Sequence, residues 1–166
     1  GNIDVTGTGT GSMITLTSGT GTGGAAQIGH GGYSDSVYTV TATGDICVHT
    51  DATIELDSET GAGTGSYAQI GHGGANVQGD KDGRIAVVSG TGSTGGVTLT
   101  GGDDTAEYAQ IGHGGPDSDG NMSGDVHVIA DNGGSIELQG GTAADNYAMI
   151  GHGDGEGLTA SGTREG

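Results

Sequence analysis

One phrase, Ala-Gln-Ile-Gly-His-Gly-Gly, returns four times along this chain and constrains its fold more than any other feature. The copies occupy residues 26–32, 68–74, 109–115 and 148–153, and the last copy reads Ala-Met-Ile-Gly-His-Gly. Their isoleucines are 42, 41 and 39 residues apart. A phrase that returns at a nearly constant spacing predicts an array of stacked structural repeats rather than an ordinary globule.

Two further phrases, Gly-x-Ile-x-Val and Ile-x-Leu, return with the same period. If each repeat is taken to begin at Gly-x-Ile-x-Val, the repeats are residues 1–43, 44–82, 83–123 and 124–166. Together they are predicted to form a single domain, residues 1–166. Because these are whole repeats, we expect the sequence to be a processed product or an excerpt of a longer fibre.

All three phrases alternate apolar and other residues with a period of two, which is typical of β-strands. Glycine at this density would weaken any helix. One such repeat could not bury itself, but stacking each strand on its equivalent in the next repeat would bury it. The sequence therefore predicts an all-β fold, a parallel β-helix or β-solenoid of about four coils, each of roughly 41 residues with three strands.

The alternation also predicts which residues point inward. These are the aliphatic positions of the three strands, which in the second repeat are Ile46, Val48, Ile54, Leu56, Ala68 and Ile70. The segments after the histidine phrase, 74–82 and 114–123, vary in sequence, and the first repeat has a strand-like run at 37–43. Since insertions in repeat proteins map to loops on one face, we expect this segment to protrude from one corner.

Charge and composition exclude several classes of protein. The chain has 21 acidic residues against three basic ones and a net charge of −18, so nucleic acid is not an expected partner. It has no apolar run long enough to cross a membrane, and its single cysteine, Cys47, excludes an intrachain disulfide. An acidic chain of this kind favours solubility and binding of divalent cations.

The histidine of each phrase is the most distinctive polar residue, and it allows two interpretations. A row of imidazoles one rung apart could bind metal or respond to pH. Alternatively, neutral imidazoles could each bond a turn carbonyl and close the core, and the sequence favours this structural interpretation. The predicted structural ladders comprise His30, His72, His113 and His152, Ile28, Ile70, Ile111 and Ile150, and Gln27, Gln69 and Gln110.

Glutamine and tyrosine rows accompany the histidines. The three glutamines could stack as an amide ladder along the axis, which Met149 interrupts in the last repeat. Tyr67, Tyr108 and Tyr147 precede the phrase, and we expect them to stack on the outside, where they could contact carbohydrate.

Two acidic turns are the candidate metal site. Asp80 and Asp82 flank Lys81, Asp117 and Asp119 flank Ser118, and each pair precedes a glycine. Carboxylates two residues apart beside such a turn can supply oxygen ligands for Ca²⁺, so calcium is the possible cofactor. The full EF-hand pattern is absent, and solvated turn residues are the competing interpretation.

Taken together, the phrases resemble the repeat region of very large bacterial exoproteins of the filamentous-haemagglutinin type. The resemblance rests on Gly-Asp-Ile-x-Val, Ile-x-Leu-x-Gly-Gly and Tyr-Ala-Gln-Ile-Gly-His-Gly-Gly, and it covers the whole chain. It implies a parallel β-helix, secretion across an outer membrane, and a role in adhesion or extracellular matrix. It supplies no catalytic residues.

The sequence thus leads to two hypotheses about function. The first is a structural rod or filament segment, such as an adhesin stalk, surface fibre or biofilm matrix, outside the cell or on a bacterial surface. Its partners would be copies of itself or further repeats stacked head to tail. The alternative is a binding module for calcium, surface glycans or ice. An enzyme is not expected, because four equal copies of a phrase do not make one differentiated catalytic centre.

Overall fold

A computed structural model describes residues 1–33, 38–58, 61, 63–153 and 163–165. Over these residues the chain is all-β, and every strand pairing is parallel. Three sheets of four strands form most of the structure, and each sheet takes one strand from every repeat, in repeat order.

The strands of these sheets are three to five residues long. The first sheet consists of Ile3–Gly7, Ile46–Thr50, Ile85–Ser89 and Val126–Ala130. The second consists of Met13–Thr17, Thr53–Asp57, Val97–Thr100 and Ile136–Gln139. The third consists of Ala25–Ile28, Tyr67–Ile70, Tyr108–Ile111 and Ala148–Ile150.

Pairing joins residues that hold the same place in successive repeats. Ile46, for example, pairs with Ile3 on one side and with Ile85 on the other. A slip by one residue would turn every inward aliphatic to the opposite face of its strand, so the alternation itself specifies the register. Each ladder position therefore becomes a row of equivalent residues, one rung per repeat.

The core lies between the three sheets and is made of the aliphatic residues that the alternation places inward. Ile46 and Val48 come from the first sheet, Ile54 and Leu56 from the second, and Ile70 from the third. All of these side chains are buried, together with their equivalents in the third repeat. Rows of aliphatic residues thus fill a narrow core that contains no phenylalanine or tryptophan.

The expectation that the corner segment protrudes is wrong. Part of it forms a fourth parallel sheet of two-residue strands, consisting of Ala42–Thr43, Lys81–Asp82, Met122–Ser123 and Arg164–Glu165. Tyr38–Thr39 pairs similarly with Val77–Gln78, while Val37 of the strand-like run lies outside the described residues. The corner therefore stacks in register like the core strands, and each repeat has more than the three strands expected.

The two middle repeats are far better covered than the last. Val97 and Leu99 of the third repeat are fully buried, whereas their row neighbours Ile136 and Leu138 in the fourth are 43% and 47% exposed. These two side chains belong to the core rows, and among the described residues their strand pairs with a neighbouring repeat on one side only.

The described residues contain no helix that is long and apolar enough to cross a membrane.

The difference in burial between the third and fourth repeats predicts that the same leucine-to-alanine substitution lowers the free energy of unfolding by different amounts in the two repeats. Leu99→Ala should lower the free energy of unfolding by about 2–5 kcal/mol, because it leaves a cavity between two covered rungs. Leu138→Ala should cost less than half as much, since water already reaches that side chain. Urea denaturation of dilute protein measures both, and equal losses would contradict the uneven cover.

Candidate functional site

The four histidines of the repeated phrase stack face to face. Successive ring centroids from His30 to His72, His113 and His152 are 4.9, 4.9 and 4.8 Å apart, and the ring planes differ by 7° or less. This spacing equals the separation of adjacent strands in a sheet, about 4.8 Å. The rings therefore form one continuous column, which we call the histidine ladder.

Three of the rings, those of His72, His113 and His152, bond the backbone in two directions, whereas His30 bonds the carbonyl oxygen of Gly1 through Nε2. Nε2 of His72 lies 2.9 Å from the carbonyl oxygen of Gly44, at the start of its own repeat. Nδ1 of the same ring accepts the backbone N–H of His30, in the preceding repeat, at 3.1 Å. Equivalent bonds join His113 to Gly83 and to the N–H of His72, and His152 to Gly124 and to the N–H of His113.

These partners define the state of the rings. A carbonyl oxygen only accepts, so Nε2 must carry the proton, and a backbone N–H only donates, so Nδ1 must carry a lone pair. The rings of His72, His113 and His152 are thus the neutral Nε2–H tautomer. In His72, His113 and His152 no ring nitrogen remains to bind a metal or take up a proton without breaking a bond, so the metal-binding interpretation of these three is wrong.

Burial adds to the preference for the neutral form. Desolvation lowers the pKa of His113 to about 4, and the neighbouring histidines also lower it, while the hydrogen bond to Gly83 acts in the opposite direction. The pKa of His72 is lowered for the same leading reason.

The glycines beside the histidines allow this close stacking. A Cβ atom on Gly71 would collide with the carbonyl oxygen of Gly112 in the next repeat, and a Cβ on Gly112 would collide with that of Gly151. Only a residue without a side chain fits where one backbone passes so near the next. The Gly-His-Gly sequence is therefore a requirement of the stacking geometry.

The glutamines form a second row, but their amides serve mainly the backbone. Gln69 Nε2 donates to the carbonyl oxygens of Gly112 and Gly114 at 3.0 and 2.8 Å, and Gln110 does the same to Gly151 and Gly153. An amide-to-amide bond joins Gln27 to Gln69 at 3.2 Å. The row thus ties each repeat to glycine carbonyls of the next.

The tyrosines stack as expected, but two of them are not on the outside. Tyr67 and Tyr108 are fully buried with ring centroids 4.8 Å apart, and Tyr108 and Tyr147 follow at 5.0 Å. Burial raises the pKa of both Tyr67 and Tyr108. The corner segment covers them, since a Cβ on Gly74 would meet the Tyr67 hydroxyl. These two rings cannot offer a face to carbohydrate.

The four candidate calcium ligands do not converge on one point. The side chain of Asp80 accepts the backbone N–H of Asn121 at 2.9 Å, and Asp82 accepts the hydroxyl of Ser123 at 2.7 Å. Asp117 and Asp119 use their backbone carbonyls, which accept bonds from Gln78 and Lys81. Across the described part of the chain, no three His, Cys, Asp or Glu residues are grouped as metal ligands.

Lys81, between the two aspartates, is the residue that sequence reasoning missed. It is fully buried, and its Nζ donates to the carbonyl of Val77 at 2.6 Å, the hydroxyl of Ser118 at 2.8 Å and the carbonyl of Asp119 at 2.7 Å. A cation does occupy this corner, but it is the ammonium of the chain itself. The apolar residues Ala42 and Met122 in its row gave the only signal that this position points inward.

Glu107 is a second buried ionisable residue that the motifs did not reveal. Its Oε2 accepts the backbone N–H of Asp104 at 2.7 Å, and its own N–H donates to Asn146 at 2.9 Å. Among the described residues, the buried side-chain atoms without a hydrogen-bond partner are Glu107 Oε1 and the Tyr108 hydroxyl. One carboxyl oxygen of Glu107 therefore stabilises the turn at Asp104 by accepting its backbone N–H.

Comparison with protein-family models, with curated proteins and with solved structures gives no match.

The histidine ladder predicts a loss of stability in acid. Because the pKa of His113 is about 4 when folded and about 6.5 when unfolded, the unfolded chain binds more protons between these values. The part of the free energy of unfolding that depends on neutral His113 is fully present above about pH 6.5 and falls as the pH drops toward 4. It amounts to on the order of 3 kcal/mol. His113→Asn should be less stable than the wild type at pH 8 but should lose less on acidification.

Urea denaturation at several pH values measures this difference. His127→Asn is the matched control, because the side chain of His127 is 54% exposed and lies outside the ladder. It should keep the wild-type dependence on pH. The same acid dependence in wild type and His113→Asn would exclude the ladder as its source.

Removing the buried ammonium should destabilise the corner. Lys81→Met leaves the Val77 and Asp119 carbonyls and the Ser118 hydroxyl without this donor, which should cost about 2–4 kcal/mol in urea denaturation. Arg84→Met removes a positive charge from an exposed residue three positions further along the chain and should change the stability by less than about 0.5 kcal/mol. Equal effects of the two variants would contradict a structural role for the ammonium.

Proposed function

We propose that this chain is a segment of a structural extracellular rod, in which each repeat is one coil of a parallel β-solenoid. Four coils of roughly 41 residues would rise by about 4.8 Å each along the axis. The hydrogen bond from each histidine to the first glycine of its own repeat supports this, because it brings the end of the third strand to the start of the first.

The observation that carries the proposal is the use of the polar groups in the repeated phrase. Imidazole nitrogens and glutamine amides bond the backbone of the same or the neighbouring repeat, and this happens at all three junctions. A binding or catalytic site would keep such groups open to a ligand. Polar groups that hydrogen-bond one repeat to the next are expected in a structural protein, whose function depends on a long and stiff shape.

The setting of the rod is inferred from its surface. A chain with 21 acidic and three basic residues suits a hydrated extracellular layer rather than a nucleic acid surface. The resemblance to haemagglutinin-type repeats points to the same setting, with an adhesin stalk, surface fibre or biofilm matrix as the forms such a rod would take.

The alternative, a binding module, has less support. Two of the tyrosines are buried. Of the candidate calcium ligands, the carboxylates of Asp80 and Asp82 accept bonds from the Asn121 N–H and the Ser123 hydroxyl. For ice, the outward row of the second sheet contains Thr15, Glu55, Thr98 and Glu137, so threonines do not form a regular array.

A tandem duplication of the chain tests the structural proposal. If each repeat is one coil, the doubled chain should be longer than the single chain by about 19 Å in small-angle X-ray scattering, with an unchanged cross-section. Dilute samples in low salt keep separate molecules apart during the measurement. A doubled chain that widens instead of lengthening would refute the rod.

A further inference from the structure

The outer face of the first sheet carries a groove that the rod does not use. The groove has a volume of about 230 Å³ and crosses the first three repeats. Its walls are the outward side chains that alternate with the core residues Ile3, Ile46 and Ile85. Because the groove lies on the side of the stack, repeats that extended the array along its axis would leave it open.

Two outward rows of side chains flank the groove. One row is Asn2–Asp45–Arg84–Asp125, and the other is Asp4–Cys47–Ala86–His127. Hydrogen bonds fix the first row, since Asn2 Oδ1 accepts the N–H of Asp45 at 3.1 Å and Asp45 Oδ1 accepts the N–H of Arg84 at 3.0 Å. The groove thus has one positively charged group, Arg84, between side chains held in register.

The guanidinium of Arg84 is the unpaired group of the groove. Both row neighbours are carboxylates, but Asp45 Oδ1 bonds the backbone of Arg84, and Asp125 Oδ2 lies 3.8 Å from Nε2 of His127. Within the described part of the chain, the guanidinium has no hydrogen bond or ion pair. Its N–H donors form a planar fork that matches a carboxylate. The fork is therefore available to a ligand.

The charges around the fork restrict the ligand. Asp4 and Asp45 line the same groove and the net charge of the chain is −18, so a purely anionic ligand would be repelled. A ligand that also carries an ammonium group would be attracted instead. Asp4 can accept it, because the Thr6 hydroxyl bonds only Oδ1 of that carboxylate. Cys47 and Ala86, the other members of this row in the groove, place no charge beside the ligand.

We propose that the groove binds a small aminocarboxylate, whose carboxylate pairs with Arg84 and whose ammonium pairs with Asp4. These two residues stand two rungs apart, about 9.6 Å along the axis, so the charges of the ligand must be separated by a short chain. An ω-amino acid or a dipeptide has this form, and a groove of about 230 Å³ can hold it. The site goes beyond the proposed rod and does not depend on it, because it needs only the first three repeats.

The thiol of Cys47 provides the readout for a test. It is the single cysteine of the chain, it is exposed, and it lines the groove. Iodoacetamide, an uncharged reagent, alkylates this thiol, and a bound ligand should slow the reaction. ε-Aminocaproate should protect Cys47 saturably at millimolar concentrations. Caproate and hexylammonium, each with only one of the two charges, should need at least about tenfold higher concentrations for the same protection.

Variants assign the protection to the two charged groups. Arg84→Lys keeps the charge but loses the fork and should weaken protection about tenfold, whereas Arg84→Gln should abolish it. Asp4→Asn removes the partner of the ammonium and should also weaken protection about tenfold. Glu55→Gln is the matched control, because Glu55 lies on an outward row of the second sheet, away from the groove, and it should keep the wild-type protection.

Three results would overturn the proposal. Equal protection by caproate or hexylammonium would refute the requirement for both charges. Protection that persists in Arg84→Gln would show that ε-aminocaproate slows alkylation without using the fork. Wild-type protein with neither protection nor saturable shifts of the Cys47 and Ala86 amide resonances in NMR would refute the site itself. The rod is unaffected by any of these results, since the tandem chain tests it separately.

Discussion

Parallel pairing of equivalent residues imposes one constraint on the whole molecule: each side chain must tolerate its counterpart about 4.8 Å away on the neighbouring rung. Aliphatic groups and tyrosine rings meet this constraint directly, and the Leu56–Leu99 and Tyr67–Tyr108 contacts are examples. Imidazoles meet it only when neutral, and carboxylates only when another residue type separates them. The residue types in each row are therefore those whose side chains can pack or bond next to the side chain at the equivalent position of the neighbouring repeat.

The histidine ladder shows how far this constraint suppresses reactivity. Histidine is the usual proton carrier and metal ligand of proteins. Here one nitrogen of each ring bonds a glycine carbonyl within its repeat, and in three of the rings the other accepts an N–H from the repeat before. A ring used in both ways acts as a spacer between backbones. The same residue type at His127, outside the ladder, retains its exposure and an aspartate neighbour.

Much of the fold could be predicted from the sequence, because period-two alternation determines which residues point inward and which pair. The phrase also indicated that histidines approach turn carbonyls. The corner could be predicted only in part: the strand-like run at 37–43 contains the strands Tyr38–Thr39 and Ala42–Thr43, but the equivalent strands of later repeats are two residues long and carry no alternation to detect. Burial of Lys81 and Tyr67 depends on the path of that corner over the third sheet, where Gly74 passes against the tyrosine hydroxyl. Lys81 looked like a solvated turn residue because its acceptors lie on segments distant in sequence.

The small rise per repeat along the axis of such a rod has a consequence for the ions and water around it. In the proposed rod, four coils rising by about 4.8 Å each would span roughly 19 Å and carry the net charge of −18, or about one negative charge per ångström of axis. Duplex DNA carries one per about 1.7 Å and already condenses counterions along its length. A rod of these repeats would behave as a polyelectrolyte: it would hold a dense sheath of cations and water, and its stiffness and spacing from neighbouring rods would follow the ionic strength outside.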